Sequence, residues 1–222
     1  MSRRNLSAAT ALFSASLLAT SFAHADPKSI DKVNGAIQTN AGVEYGDLST
    51  VNGDVSVAED STAQEVETVN GGITIGTRAR VASAETVNGG ISVRADALIE
   101  GDLETVNGGV SMAAGSSVIG RVETVNGGIQ LTTAQVGNGI ETVSGDIEVL
   151  AGSVVKGGII VRKPTGSWFS MGTQRDPKVV IGANSVVEGE LVFERDVELL
   201  VDASAKIGKV TGATAKTLEV EK

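Results

Sequence analysis

The sequence predicts an all-β protein, a single-stranded parallel β-helix (β-solenoid) with about 18 residues per coil, and three observations carry that prediction. Val-Asn-Gly begins at positions 33, 51, 69, 87, 106 and 125, and Val-Ser-Gly at 143, with spacings of 18, 18, 18, 19, 19 and 18 residues. Between the copies, β-branched residues alternate with polar ones, as at Ile91 and Val93, which is the period of a strand and not of a helix. Aromatic residues make up 3% of the chain while glycine reaches 28 residues. That composition suits a thin core of stacked aliphatic side chains, the kind that repeat architectures build.

Residues 1–25 read as an export signal. Arg3 and Arg4 give a positive start, the stretch 8–22 is apolar or small, and Ala23-His24-Ala25 is the small-x-small pattern of a cleavage site. The apolar run is too short and too rich in Ser and Thr for a membrane-spanning helix. The expected mature chain starts at Asp26 and resides in the periplasm, outside the cell or on its surface, without membrane insertion. Cleavage removes His24, the single histidine, from a chain with no cysteine. Zinc ligation by His or Cys, a thiol nucleophile, a disulfide, an imidazole base and a cysteine-linked lipid anchor are then all excluded. The mature chain keeps 16 basic residues against 27 acidic ones, a net charge of −11. Nucleic acid and anionic lipid are poor partners for that balance. Cationic polymers or divalent ions fit its sign, and simple solubility accounts for it equally well.

Each repeat supplies the parts of one coil. In Val69-Asn-Gly-Gly-Ile73-Thr-Ile75, followed by Val81 and Val87, the apolar positions are expected to point inward and to form columns with their equivalents in neighbouring coils. Val106 is assigned to such a column. The glycine after each asparagine is expected at a tight corner that needs positive φ. Residues 26–161 are assigned to solenoid repeats, seven coils of them over 33–161. Residues 162–178 form an excursion loop, and 179–210 return to the coil pattern with Ile181, Val187, Phe193 and Leu199 six apart. Residues 211–222 are a tail. A six-residue step is also the rule of left-handed β-helices. The slips to 19 residues, and an Asn-Gly corner on one side in three, favour the right-handed form.

Two stretches, Glu85-Thr-Val-Asn-Gly-Gly-Ile-Ser-Val93 and Glu141-Thr-Val-Ser-Gly-Asp-Ile-Glu-Val149, resemble the bacterial adhesin-type β-solenoid repeat family. The run from Val180 to Leu191 resembles bactofilins, β-helical proteins that polymerise end to end. The resemblance covers about residues 33–210. It implies a β-solenoid that acts as a structural, adhesive or self-assembling scaffold at the cell envelope. Bactofilins are typically cytoplasmic, so the export signal departs from their pattern.

Three sets of residues are candidates for function. Asn34, Asn52, Asn70, Asn88, Asn107 and Asn126 form a column that is either a hydrogen-bonded structural ladder or a polar strip for glycans. Glu67, Glu85, Glu104, Glu123 and Glu141 form a second column. Its repulsion is relieved either by solvent and monovalent ions or by a divalent metal such as calcium. The segment Arg162–Lys178 holds the single Trp168, Phe169, and the cations Arg162 and Arg175 in an otherwise acidic protein. These four residues are candidates for binding a glycan or an envelope protein, unless the two rings fold back over the solenoid. Self-association through the solenoid ends is the other partner reading. No cofactor is expected. An enzyme is not expected either, since hexapeptide acyltransferases use a histidine base and polysaccharide-cleaving β-helices have longer, more irregular coils.

Overall fold

The computed structural model describes residues 27–164 and 175–218, all of whose regular elements are β-strands. The expected export signal, Trp168 and Phe169 lie outside the described residues. The chain winds as a parallel β-solenoid of about ten turns. One side of the coil is a 10-stranded parallel sheet, from Ile37–Gln38 through Ile73–Ile75 and Ile91–Val93 to Lys216–Thr217. At the usual strand separation of about 4.8 Å its ten strands make a stack on the order of 43 Å tall. Pairing continues past Val210, because Lys216 and Thr217 lie opposite Leu200 and Val201.

The rest of each coil belongs to a 16-stranded sheet. In the early coils it is one long strand per turn, as in Tyr45–Asn52, Thr62–Asn70 and Arg80–Asn88. From the fifth coil on it divides into two, first Leu98–Ile99 and Leu103–Asn107, which both pair with Arg80–Asn88. The residue inserted at the first 19-residue spacing causes the split. Val81 pairs with Ile99 and Ala84 with Leu103, so three residue steps in one coil face four in the next. The extra residue falls at Glu100-Gly101 and turns a straight strand into a corner.

The core is the aliphatic column set, with Ile73, Ile91, Val110 and Ile129 in one column and Val66, Leu103, Val122 and Ile140 in another, all about fully buried. Ile181, Val187, Phe193 and Leu199 continue it at the C-terminal end. The valine of Val-Asn-Gly is a correction to the expected core. Val51, Val69 and Val106 are 38–40% exposed, and the threonine just before each of them is buried. Thr68, Thr86, Thr105 and Thr124 donate their hydroxyls to the carbonyls of Gly53, Gly71, Gly89 and Gly108 in the preceding coil, at 2.8–2.9 Å. Valine and threonine have the same shape, but only threonine satisfies an inward carbonyl that no ladder bond reaches. The six-residue rule therefore holds at Ile75, Val81, Val93 and Ile99 and fails at Val69 and Val87.

The reason for glycine after asparagine is also different from the one expected. Only Gly35 of that column has positive φ, at 106°. A Cβ on Gly71, Gly89, Gly108 or Gly127 would instead overlap the carbonyl oxygen of the equivalent glycine one coil before. Close stacking, not backbone handedness, demands glycine there. The left-handed residues sit at another corner, at Asp60, Arg78, Asp96, Gly115 and Thr133. The side chains of Ser61 and Ser116 tighten that corner by donating to Ala58 and Ala113 carbonyls at 2.5 and 2.6 Å.

Val106→Asp is expected to leave the cooperative unfolding transition in place, with a change of about 1 kcal/mol or less. Leu103→Asp, three residues earlier and inward, is expected to unfold the neighbouring coils because its carboxylate has no partner. Circular dichroism during thermal melts of both variants checks the assignment.

Candidate functional site

The outer surface over the threonine column carries three parallel files of side chains, in the order Glu, Val, Asn along each strand. Glu and Val follow from strand alternation around the buried threonine, and asparagine, next to valine, departs from it by also facing out at the glycine corner. The asparagines pair in register along the axis, Asn34 with Asn52, Asn52 with Asn70 and Asn107 with Asn126. Each Nδ2 donates to the Oδ1 of the asparagine in the coil before, at 2.9–3.1 Å from Asn52 to Asn126. All of these side chains are exposed. The ladder uses one donor and one acceptor of each interior amide, so the remaining valences face solvent.

The five glutamates also stand in register, Glu67 beside Glu85, Glu85 beside Glu104, Glu104 beside Glu123 and Glu123 beside Glu141. Partial burial, then the neighbouring carboxylates Glu65 and Glu85, push the Glu67 carboxyl above its ordinary range. Glu104 is pushed up by partial burial and by Glu123 and Glu85. The later members have cations. Arg121 bonds Glu123 at 2.8 Å, and Arg162 bonds Glu141 at 2.7 Å. Among the described residues no three acidic side chains converge as a metal cluster; the file presents one carboxylate per coil.

Of the proposed partner-binding residues, Arg162 and Arg175 are the two within the described residues, and both are engaged at the roots of the 162–178 segment. Arg162 spans three successive coils, donating to Glu141 on one side and to Glu194 on the other at 2.8 Å. The Glu194 carboxylate also accepts the Lys163 amide at 3.2 Å, and the Arg162 guanidinium and this amide hold it below the ordinary range. At the other root Arg175 makes a two-point contact with Asp146, 3.0 Å at Nη1, and the Lys178 amide reaches the same carboxylate at 2.8 Å. Partial burial opposes ionisation of Asp146, yet those donors keep its pKa lowered. The coils resume in register across the insertion. Thr142 pairs with Val161 and Ile147 with Val179, so 18 residue steps replace five at this corner while the stack continues.

A feature absent from the residue-by-residue reading is a shallow basin of about 790 Å³ on the 10-stranded sheet. Its floor includes Gly72, Gly90, Gly109 and Gly128 beside Ser56, Thr74, Ser92 and Ser111, and Gln130, Asp146 and Glu148 stand at one end. The second glycine of each Asn-Gly-Gly was the signal for it. Stacking constrains this column less uniformly than the one before it: a Cβ would lie 2.8 Å from the next carbonyl oxygen at Gly109 and 3.0 Å at Gly90, but the other two members are looser. A Cβ on Gly72 or Gly128 would lie 3.3 or 3.5 Å from the next carbonyl oxygen, and Ala36, Asp54 and Asp146 occupy the same place in other coils. Asp146 joins the basin to the root of the 162–178 segment, since it is both lining residue and partner of Arg175.

These features define a β-solenoid repeat protein whose outer faces carry uniform files of polar, acidic and apolar side chains. No protein-family model, curated protein or solved structure matches the chain.

The Glu67 and Glu104 carboxyls bind protons more tightly in the folded chain than in the unfolded one. Their contribution favours folding below the unfolded carboxylate pKa and is lost as pH rises through the raised folded value. At neutral pH the file is thus left with uncompensated repulsion. Glu104→Gln is expected to raise stability at neutral pH by a few tenths of a kcal/mol, the scale of like-charge cross-strand pairs. The gain should vanish in melts taken below the pKa of glutamate, and be smaller in high salt.

Proposed function

We propose that this protein is an exported, non-enzymatic β-solenoid that serves as a structural, adhesive or self-assembling scaffold at the cell envelope. The observation that carries this reading is the uniformity of the stack. About ten coils keep one register, and one set of outward side chains repeats from coil to coil instead of converging on a reactive centre. Such a body is long and stiff, and its end coils present strand edges of the kind that pair with another copy. The adhesin-type and bactofilin-like phrases of the sequence agree with this role. The start of the chain, with its two arginines, apolar run and Ala-His-Ala, supports export to the periplasm or beyond.

A second reading is a binding module for a glycan or an envelope protein built around residues 162–178. The observation in its favour is the position of the basin, which ends at Asp146, the anchor of Arg175. In this reading Arg162 and Arg175 hold the roots of the segment, and Trp168 and Phe169 remain as the contact residues.

If the scaffold reading holds, purified mature protein forms multimers or filaments in negative-stain micrographs, and the assemblies grow with concentration in light scattering. A strict monomer at high concentration counts against it. If the binding reading holds, Trp168→Ala abolishes retention on immobilised envelope glycan while the melting temperature stays unchanged. A lowered melting temperature would instead assign Trp168 to the packing of the solenoid.

A further inference from the structure

We propose that Asn34-Gly35 is a site of spontaneous covalent modification, an intramolecular deamidation from which the other Asn-Gly pairs of the ladder are shielded by the ladder itself. The proposal is independent of the scaffold and binding readings.

The chain contains seven Asn-Gly pairs, six in the ladder at 34, 52, 70, 88, 107 and 126 and a seventh, Asn138-Gly139, outside it. This dipeptide is intrinsically reactive, because glycine offers no side chain to obstruct attack by its own backbone nitrogen. The Gly nitrogen forms a bond to the Asn Cγ, the Cγ–Nδ2 bond breaks, and ammonia leaves with the displaced proton. The succinimide that results is opened by water at either carbonyl, giving aspartate or isoaspartate. No oxidant or cofactor enters the balance.

The ladder opposes both ends of that reaction at the interior positions. The leaving Nδ2 of Asn52, Asn70, Asn88, Asn107 and Asn126 is held as a donor by the Oδ1 of the preceding asparagine. Conversion there removes that donor and sets a carboxylate oxygen against an amide oxygen, an unpaired and repulsive contact. Asn34 differs. Its Oδ1 accepts from Asn52 at 3.0 Å, and among the described residues its Nδ2 has no acceptor, because the strand Lys28–Asn34 pairs on one side only, with Tyr45–Asn52. A carboxylate at position 34 keeps the bond from Asn52 and strengthens it by its charge. Gly35 is also the one glycine of its column with positive φ, at 106°, and nothing lies within 4 Å of the place a Cβ would take. Its amide does donate to the Asn52 carbonyl at 2.8 Å, as Gly53 and Gly71 donate to theirs, so the distinction lies in the side chain and in the open surroundings.

The test is peptide mapping by tandem mass spectrometry of the full folded chain, aged at mildly alkaline pH, with the chain aged in denaturant as reference. The expected result is that amide loss at position 34 outpaces that at 70 and 88 by about tenfold or more, the effect of one hydrogen bond on a rate. In denaturant the six ladder sites converge. Asn52→Ala, checked by circular dichroism for retention of the fold, removes the acceptor of Asn70 and is expected to bring its rate towards that of Asn34. Equal rates at 34 and the interior sites of the folded chain, or an Asn70 as slow as Asn88 in the Asn52→Ala variant, would overturn the proposal. As a second readout, Asn34→Asp should leave the melting temperature unchanged while Asn88→Asp lowers it.

Discussion

Every part of this molecule depends on one constraint, that each Thr-Val-Asn-Gly segment must sit directly over the same segment of the coil before. The three conserved-by-repetition side chains of that phrase answer three separate needs of stacking. Glycine removes the Cβ that would collide with the carbonyl below, as at Gly71, Gly89 and Gly108. Threonine turns inward and gives that otherwise unpaired carbonyl a hydroxyl at 2.8–2.9 Å. Asparagine turns outward and bonds its own image. Each bond is modest, on the order of 1 kcal/mol net, but leaving a buried carbonyl unpaired in every coil would cost more than the bonds contribute. A chain without cysteine thereby holds a narrow core together through bonds directed along its axis.

Repetition also has an electrostatic consequence. A residue suited to one coil is stacked on itself in the next, so the same rule that aligns amides aligns carboxylates. Amides are self-complementary, each carrying a donor and an acceptor; ionised carboxylates are not. The raised Glu67 and Glu104 carboxyls express that difference. The file ends where arginines enter it, with Arg121 on Glu123 and Arg162 on Glu141. Arg162 has a further consequence for the fold, because it ties the coil before the 162–178 segment to the coil after it through Glu141 and Glu194. Together with Asp146 and Arg175, it fixes both roots of the insertion, and the register on either side survives an interruption that adds 13 residue steps to one corner.

The sequence by itself determined the architecture and the register. A strict period of 18 or 19 residues with strand alternation inside it admits stacked coils and little else, so the alignment of Asn34 to Asn126 and of Glu67 to Glu141 was legible before any coordinates. The burial of Ile181, Val187, Phe193 and Leu199 was legible too, since their spacing matches the coil. What only the tertiary structure decided was which way the Thr-Val pair faces. Alternation fixes that adjacent residues point to opposite sides, but a glycine corner breaks the count, and threonine and valine are equal in shape. The choice turns on the inward carbonyl of a glycine in another coil, a group that has no identity in the linear sequence. The basin over Gly72 to Gly128 and the two-sided grip of Arg162 were hidden for the same reason. They are made by residues 18 to 32 positions apart, and only the winding of the chain brings them side by side.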